Sequence, residues 1–220
     1  MNQPLLRKVH GRASSSLGPW LKGRIARLLH QRKLVSDWTR AGRPVPPPHF
    51  VKQQVIKKYA KRYNLKIFVE TGTYYGDMVE AMKGLFNRVI TVELGEDLYK
   101  RATERFKHDK NVQVIHGDSG AVLGTLINQI DSPALFWLDG HYSEGDTARG
   151  DKDTPIRDEL VHILNKDDLN HVILIDDARC FGTEQEYPTI VELTTFVHSK
   201  RRGVELSVSD DIIRIVPLAK

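Results

Sequence analysis

Five short apolar runs alternate along the chain with longer segments whose apolar residues recur at helical spacing. Short continuous apolar runs are typical of strands that are buried on both faces, and strands that alternate with helices form parallel sheets. The pattern therefore predicts an α/β fold in which the parallel strands lie at residues 67–69, 89–92, 112–115, 134–138 and 172–175.

The C-terminal end of the chain has a different pattern. Two further apolar runs, residues 204–208 and 212–216, are separated by only three residues. A connection this short joins antiparallel strands, because a parallel return needs a crossover of about a dozen residues or more. We therefore predict a sheet of seven strands, mostly parallel, with one strand reversed and with helices on both faces.

Residues 1–48 differ from the rest of the chain in charge and composition. Residues 1–43 contain ten Lys and Arg residues and one acidic residue, so their formal charge is +9, whereas that of the whole chain is +5. From Trp20 the apolar residues follow helical spacing, and residues 43–48 form a stiff, proline-rich linker. We predict a basic arm, an amphipathic helix and a linker over residues 1–48, and a catalytic domain over residues 49–220.

The basic helix has three interpretations. Such a helix can lie on an anionic membrane surface, bind nucleic acid, or pack on the domain or on a partner subunit. A single short helix without an acyl anchor or stacking aromatic residues binds membranes and nucleic acid weakly, which favours packing. We predict a subunit contact in a homo-oligomer, or a weak membrane-surface contact, through residues 20–33, and we disfavour nucleic acid.

Cysteine content and hydropathy indicate the cellular compartment in which we expect the protein. Cys180 is the only cysteine, which excludes an intrachain disulfide and a thiolate metal cluster and fits a reducing compartment. No apolar run is long enough to span a bilayer, and the N-terminal residues lack the pattern of a secretory signal. We expect a cytoplasmic protein.

Acidic residues follow all five predicted parallel strands. In an open parallel sheet, ligands bind outside the carboxyl ends of the strands. A single acid at such a position is more often a helix cap, but five strands in succession that end in this way favour an acid-rimmed crevice. The residues are Glu70, Glu93, Asp118, Asp139, Asp176 and Asp177.

The turn after the first predicted strand discriminates between cofactors. Gly72 and Gly76 are spaced four residues apart, in place of the closely spaced three-glycine fingerprint of dinucleotide sites. An anionic pyrophosphate is also poorly suited to a crowd of carboxylates. A nucleoside without phosphates that carries a positive centre suits this edge of the sheet better.

From Phe50 to Val216 the sequence resembles the class I S-adenosylmethionine-dependent methyltransferases, which have a Rossmann-like sheet with a reversed last strand. The resemblance implies S-adenosylmethionine as cofactor and a site made from the acids and the glycine turn. The first motif of the family would comprise Glu70, Thr71, Gly72, Thr73 and Gly76. This motif would lie around the methionine portion of the cofactor, and Glu93 would bind the ribose hydroxyls. Asp118 and Ser119 would flank the adenine, beside Asp139.

A narrower resemblance concerns residues 138–143 and 175–177, which are similar to the metal-dependent sugar O-methyltransferases related to macrocin O-methyltransferase. It implies a Mg²⁺ ion held by Asp139, Asp176 and Asp177, and oxygen ligands of this kind suit hard cations. We expect transfer of a methyl group to a hydroxyl of a small molecule or sugar, with Asp139 and His141 as catalytic residues. His141 is the candidate base, and residues 143–153 are the candidate lid.

Two other functions stay open at this point. A dinucleotide-dependent oxidoreductase, using NAD(P), can have a similar sheet, although the terminal hairpin and the glycine spacing count against it. An RNA-directed methyltransferase would use residues 1–43 as a basic arm, but the motifs of base methylation are missing after the fourth strand. A binding module with a relic cofactor site is a further alternative.

Overall fold

The computed structural model of the chain describes residues 19–140, 154–166, 169–184 and 186–218. Its central feature is a seven-stranded sheet in the order β3-β2-β1-β4-β5-β7-β6. β7 pairs antiparallel with both β5 and β6, and the other pairings are parallel. This confirms the predicted α/β fold with a reversed last strand. The strands are β1 Ile67–Thr71, β2 Arg88–Glu93, β3 Val112–His116, β4 Ala134–Leu138, β5 Val172–Ile175, β6 Val204–Ser209 and β7 Ile212–Pro217.

Within the described ranges, seven α-helices connect or precede these strands. The longest comes first in the chain, and a capping box of Thr189 and Glu192 fixes the start of the last one. The helices are α1 Pro19–Arg40, α2 His49–Arg62, α3 Asp77–Met82, α4 Glu96–Phe106, α5 Ser119–Leu126, α6 Ile156–Asn165 and α7 Ile190–Lys200.

The core consists of two apolar layers, one on each face of the sheet. One layer packs α5, α6 and α7 against side chains of the central strands such as Val69 and Phe136. The other packs α2, α3 and α4 against the opposite face, around Phe68 and Trp137. Alternate residues of β1 and β4 thus face opposite layers, which is why these strands are apolar on both sides.

One strand differs from the sequence prediction at its end. β1 extends to Thr71, so Glu70 lies inside the strand and not beyond its end. Glu70 and Thr71 are polar, so the apolar run that predicts the strand stops before the strand itself ends.

Helix α1 is longer than predicted and is attached mainly at its C-terminal end. Trp38 is buried there, and its Nε1 donates a hydrogen bond to the Pro44 carbonyl at 2.7 Å. Ile25, Leu28 and Leu29 are exposed, so the parts of the domain that the structure describes do not cover this face. The predicted subunit or membrane-surface contact stays a prediction. No helix within the described ranges is both long and apolar enough to cross a membrane.

The glycine turn between β1 and α3 brings the ends of β1 and β4 together. Gly72 has φ +83°, and a Cβ at this position would overlap the main-chain carbonyl oxygen of Asp139. Gly76 has φ +78°, and a Cβ there would lie 2.7 Å from the Phe106 ring. Both positions therefore need glycine, for backbone conformation and for close approach.

We predict that Gly72→Ala lowers the free energy of unfolding by about 2 to 4 kcal/mol, because it adds left-handed backbone strain to an overlap with main-chain atoms. Gly84→Ala is the control, since no heavy atom lies within 4 Å of its Cβ position. The control should change stability by less than about 0.5 kcal/mol in urea unfolding. Equal effects of the two substitutions would contradict the close approach of Gly72 to Asp139.

Candidate functional site

The predicted acids meet at the carboxyl edge of neighbouring strands. Glu93 is the last residue of β2, Asp139 follows β4 and Asp176 follows β5; β2 and β4 flank β1 in the sheet, and β5 adjoins β4. A small pocket at this edge is lined by Asp139, Asp176 and a further acid, Glu159 of α6. Two of the predicted acids therefore line this pocket, which we call the crevice, and the wider acid rim stays a prediction.

Asp139 lies at the electrostatic centre of this crevice. Burial raises the pKa of Glu70 well above its usual value, and the nearby charge of Asp139 raises it further. Burial and the charge of Asp139 also raise the pKa of Asp176, while Lys52 opposes that shift. Because the same carboxylate acts on both groups, the acids form one interacting cluster.

Glu70 is turned into the sheet. Only 1% of its surface is exposed, and its Oε2 accepts a hydrogen bond from the Thr91 hydroxyl at 2.7 Å. The Thr91 hydroxyl is also 2.6 Å from that of Thr73. These hydrogen bonds connect β1, β2 and the glycine turn, so Glu70 supports the turn from within the sheet. Its predicted contact with a cofactor stays a prediction.

Glu93 holds the other side of the glycine turn. Its Oε2 accepts a hydrogen bond from the Tyr74 amide at 2.8 Å, and its Oε1 accepts one from the Gly95 amide at 2.9 Å. Tyr74 itself has φ +50°. Glu93 thus shapes the turn, and its predicted contact with ribose hydroxyls stays a prediction.

Asp118 and Ser119 lie where β3 leads into α5. Asp118 caps this helix, since its Oδ1 accepts a hydrogen bond from the Ala121 amide at 3.0 Å. Ser119 is buried, and its hydroxyl lies with that of Thr71 around Gly140, where a Cβ would come within 3.3 Å of both oxygens. Gly140 therefore allows β1, β4 and α5 to approach one another at the predicted adenine side.

Asp176 and Asp177 already have cationic partners within the chain. Lys52 Nζ donates to Asp176 Oδ2 and lies 3.7 Å from Asp177 Oδ1. Arg179 donates to Asp177 Oδ1 at 2.6 Å and also forms an ion pair with Asp211. Within the described ranges, no three His, Cys, Asp or Glu side chains are placed to hold a metal ion. The structure thus does not support the predicted Mg²⁺ site at Asp139, Asp176 and Asp177.

Helix α2 contributes two residues that the sequence analysis missed. Burial opposes the charged form of Lys52, but the carboxylates of Asp176, Asp139 and Asp177 outweigh it and raise the pKa of Lys52. His49 lies one turn earlier, and burial together with the charge of Lys52 lowers its pKa. A signal was present, because Lys52 occupies the apolar stripe of α2, spaced four residues from buried Ile56.

Glu159 of α6 is the third missed residue. It is 1% exposed, and burial raises its pKa to about 7, although the hydroxyls of Ser119 and Thr71 oppose the shift. Within the described part of the chain, neither its Oε1 nor the Thr71 hydroxyl has a well-formed hydrogen-bond partner. Glu159 also interrupts an apolar stripe, three residues after Ile156 and four before Ile163. Buried polar atoms without partners are typical of sites that bind a ligand.

His141, the candidate base, and the candidate lid at residues 143–153 lie outside the residues that the structure describes. Their roles stay predictions. Among the described residues, His49 is an imidazole on which the charges of Asp77 and Asp139 act.

The sequence matches no protein-family model and no curated protein. Solved structures do resemble the chain. The O-methyltransferase TomG from Streptomyces achromogenes, in complex with SAM, has a TM-score of 0.57 and 15% identity, covering 90% of this chain and 95% of that one. An O-methyltransferase from Bacillus cereus in complex with SAH has a TM-score of 0.56 and 15% identity, covering 84% of this chain and 90% of that one. The SAH-bound methyltransferase PaMTH1 from Podospora anserina has a TM-score of 0.55 and 17% identity, covering 93% of this chain and 100% of that one.

The chain has the fold of these methyltransferases. At identities of 15% and 17% the likeness extends to the arrangement of strands and helices and not to individual site residues. It covers most of the chain and the neighbours' chains, so the methyltransferase fold accounts for the domain as a whole. Function must be argued from the site itself.

We predict that Glu159→Gln stabilises the protein at pH 8 and not at acidic pH. The pKa of Glu159 is higher in the folded chain than in the unfolded chain, so wild-type stability falls as the pH rises from about 4.5 to about 7. The gain in unfolding free energy should approach roughly 3 kcal/mol at pH 8 and vanish below pH 4.5.

The measurement is urea unfolding of both proteins across this pH range, with Glu205→Gln as the control on exposed β6. The control should differ from the wild type by less than about 0.5 kcal/mol at every pH. A gain for Glu159→Gln that does not change with pH would show that Glu159 is not a buried acid with a raised pKa.

Proposed function

We propose that this protein is an S-adenosylmethionine-dependent O-methyltransferase that acts on a hydroxyl group of a small molecule or sugar. The observation that carries the proposal is the convergence of Glu93, Asp139 and Asp176 on one edge of the sheet, next to a glycine turn that packs against Asp139. The methyltransferase fold of the chain supports the same function.

The charge of the crevice fits a cationic nucleoside. Burial raises the pKa of Glu70, and the charges of Asp139 and Glu93 raise it further, so a ligand that carries a positive charge relieves repulsion at this edge. A sulfonium centre provides such a charge, whereas a pyrophosphate would add to the repulsion. The buried hydroxyl of Thr71 and the buried carboxyl of Glu159 offer further polar contacts at the same edge.

The residues divide into two groups along the edge. Glu93 and the backbone of Gly72 would hold the ribose and methionine portions of the cofactor, and Ser119 with Gly140 would border the adenine. Asp139, at the end of β4, lies between this group and the pair Lys52–Asp176 of the acceptor side. The chemistry that S-adenosylmethionine supplies when bound is an electrophilic methyl group on a sulfonium sulfur.

The acceptor hydroxyl must lose its proton as the new oxygen–carbon bond forms and the carbon–sulfur bond breaks. A neutral imidazole can accept this proton, and the lowered pKa of His49 keeps it neutral at pH 7. His141 is the other candidate. Fixing the hydroxyl against the methyl group supplies much of the rate, since proximity replaces a bimolecular encounter.

No step of this mechanism uses a metal ion. The oxygens of Asp176 and Asp177 that a divalent cation needs already accept hydrogen bonds from Lys52, from the Asp177 amide and from Arg179. The residues therefore do not fit the Mg²⁺ ion that the narrower resemblance implies.

Calorimetric titration with S-adenosylhomocysteine tests the proposal. We expect micromolar binding by the wild type, and Glu93→Gln should weaken it by at least about tenfold, because a ribose hydroxyl loses an ionised acceptor. Glu96→Gln is the matched control, three residues further along on the exposed surface of α4, and should bind like the wild type.

Three results would contradict the proposal and point to its alternatives. Binding of NADH without binding of S-adenosylhomocysteine would favour an oxidoreductase. Transfer of a labelled methyl group to RNA, and none to a panel of sugars and phenols, would favour an RNA-directed methyltransferase. The absence of heat with either nucleotide would favour a binding module without catalysis.

A further inference from the structure

Lys52 occupies an unusual position for a lysine. It lies in the first turn of α2, and only 15% of its side chain is exposed. Its ammonium group donates a hydrogen bond to Asp176 and faces Asp177 at 3.7 Å. Burying a lysine is costly unless its charge is compensated, so this contact indicates a specific electrostatic role.

The ammonium group contacts two of the three acids that were predicted to hold a cation, Asp176 and Asp177, and the charge of the third, Asp139, also acts on it. Both oxygens of Asp176 are engaged, Oδ2 with Lys52 and Oδ1 with the Asp177 amide at 2.9 Å. Asp177 is further engaged by Arg179. A Mg²⁺ ion here would have to displace these donors and would lie close to two positive side chains. It also needs near-octahedral oxygen coordination at short distances.

We propose that the ammonium group of Lys52 is the built-in cation of this crevice and takes the place of a divalent metal ion at Asp139, Asp176 and Asp177. The ion pair lets these carboxylates share one edge of the sheet without a bound metal. Lys52 is thus a positioning residue that holds Asp176 and Asp177 in place.

A consequence for methyl transfer rests on the proposed function. An ammonium group has three N–H donors, and the contact with Asp176 uses one of them. Another can donate to an acceptor oxygen and stabilise the negative charge that develops as the hydroxyl proton leaves. Chelators should then leave methyl transfer unchanged.

The proposal is tested by titrating the protein with Mn²⁺ and monitoring binding by electron paramagnetic resonance and calorimetry. The question is whether a metal ion binds once the lysine charge is removed. The wild type should not bind Mn²⁺ at a concentration of about 1 mM. The affinity of Lys52→Met and Lys52→Gln for Mn²⁺ should be at least about tenfold higher than that of the wild type, because the carboxylates have lost their cation. Lys52→Arg keeps the charge and should bind no better than the wild type.

Lys58→Met is the matched control, since Lys58 lies on the exposed side of the same helix and its loss should not create a site. Equal Mn²⁺ binding by the wild type and both neutral Lys52 variants, whether tight or absent, would overturn the proposal. Tight binding of Mn²⁺ by the wild type would also overturn the proposal. The measurement on the wild type does not depend on whether a variant folds.

S-adenosylhomocysteine binding in the same samples separates this proposal from the proposed function. If Lys52 acts as inferred, the neutral variants gain Mn²⁺ binding whether or not the cofactor product binds. If the cofactor product fails to bind the wild type, the proposed function is wrong while the role of Lys52 as a built-in cation stands.

Discussion

Carboxylates that are buried together at one edge of a sheet repel one another, and burial removes the water that would screen the repulsion. In this protein the charge of Asp139 acts on Glu70, Glu159 and Asp176, which come from three different elements. The Lys52 ammonium group compensates part of that charge. The geometry of the crevice depends on this balance of charges. The acids and the lysine come from different strands and helices, so the balance is set by how these elements pack.

The second constraint is steric. Gly72 packs against the main chain of Asp139, and Gly140 leaves room for the hydroxyls of Thr71 and Ser119. These contacts join the ends of β1 and β4 to the start of α5, so the glycine turn is held directly against the main chain of Asp139. A binding edge built from main-chain contacts is rigid, and rigid support of the reacting groups is what proximity catalysis requires.

The fold of a protein does not decide which charges meet at its site. The chain has the fold of methyltransferases with which it shares 15% identity. The lysine of the pair Lys52–Asp176, however, comes from α2, a helix that precedes the sheet. The cation at this edge is therefore supplied by a helix and not by the strands that define the fold.

The sequence by itself determined the sheet, the reversed strand and the edge at which the acids gather, because apolar periodicity and strand order are local or nearly local properties. It also indicated which glycines the turn needs. Only the tertiary structure decided which charges meet. Lys52 and Asp176 are separated by 124 positions, and Glu159 reaches Thr71 across the sheet edge, so their contacts depend on how the helices pack. For the same reason the predicted metal ligands Asp176 and Asp177 were found paired with Lys52 and Arg179.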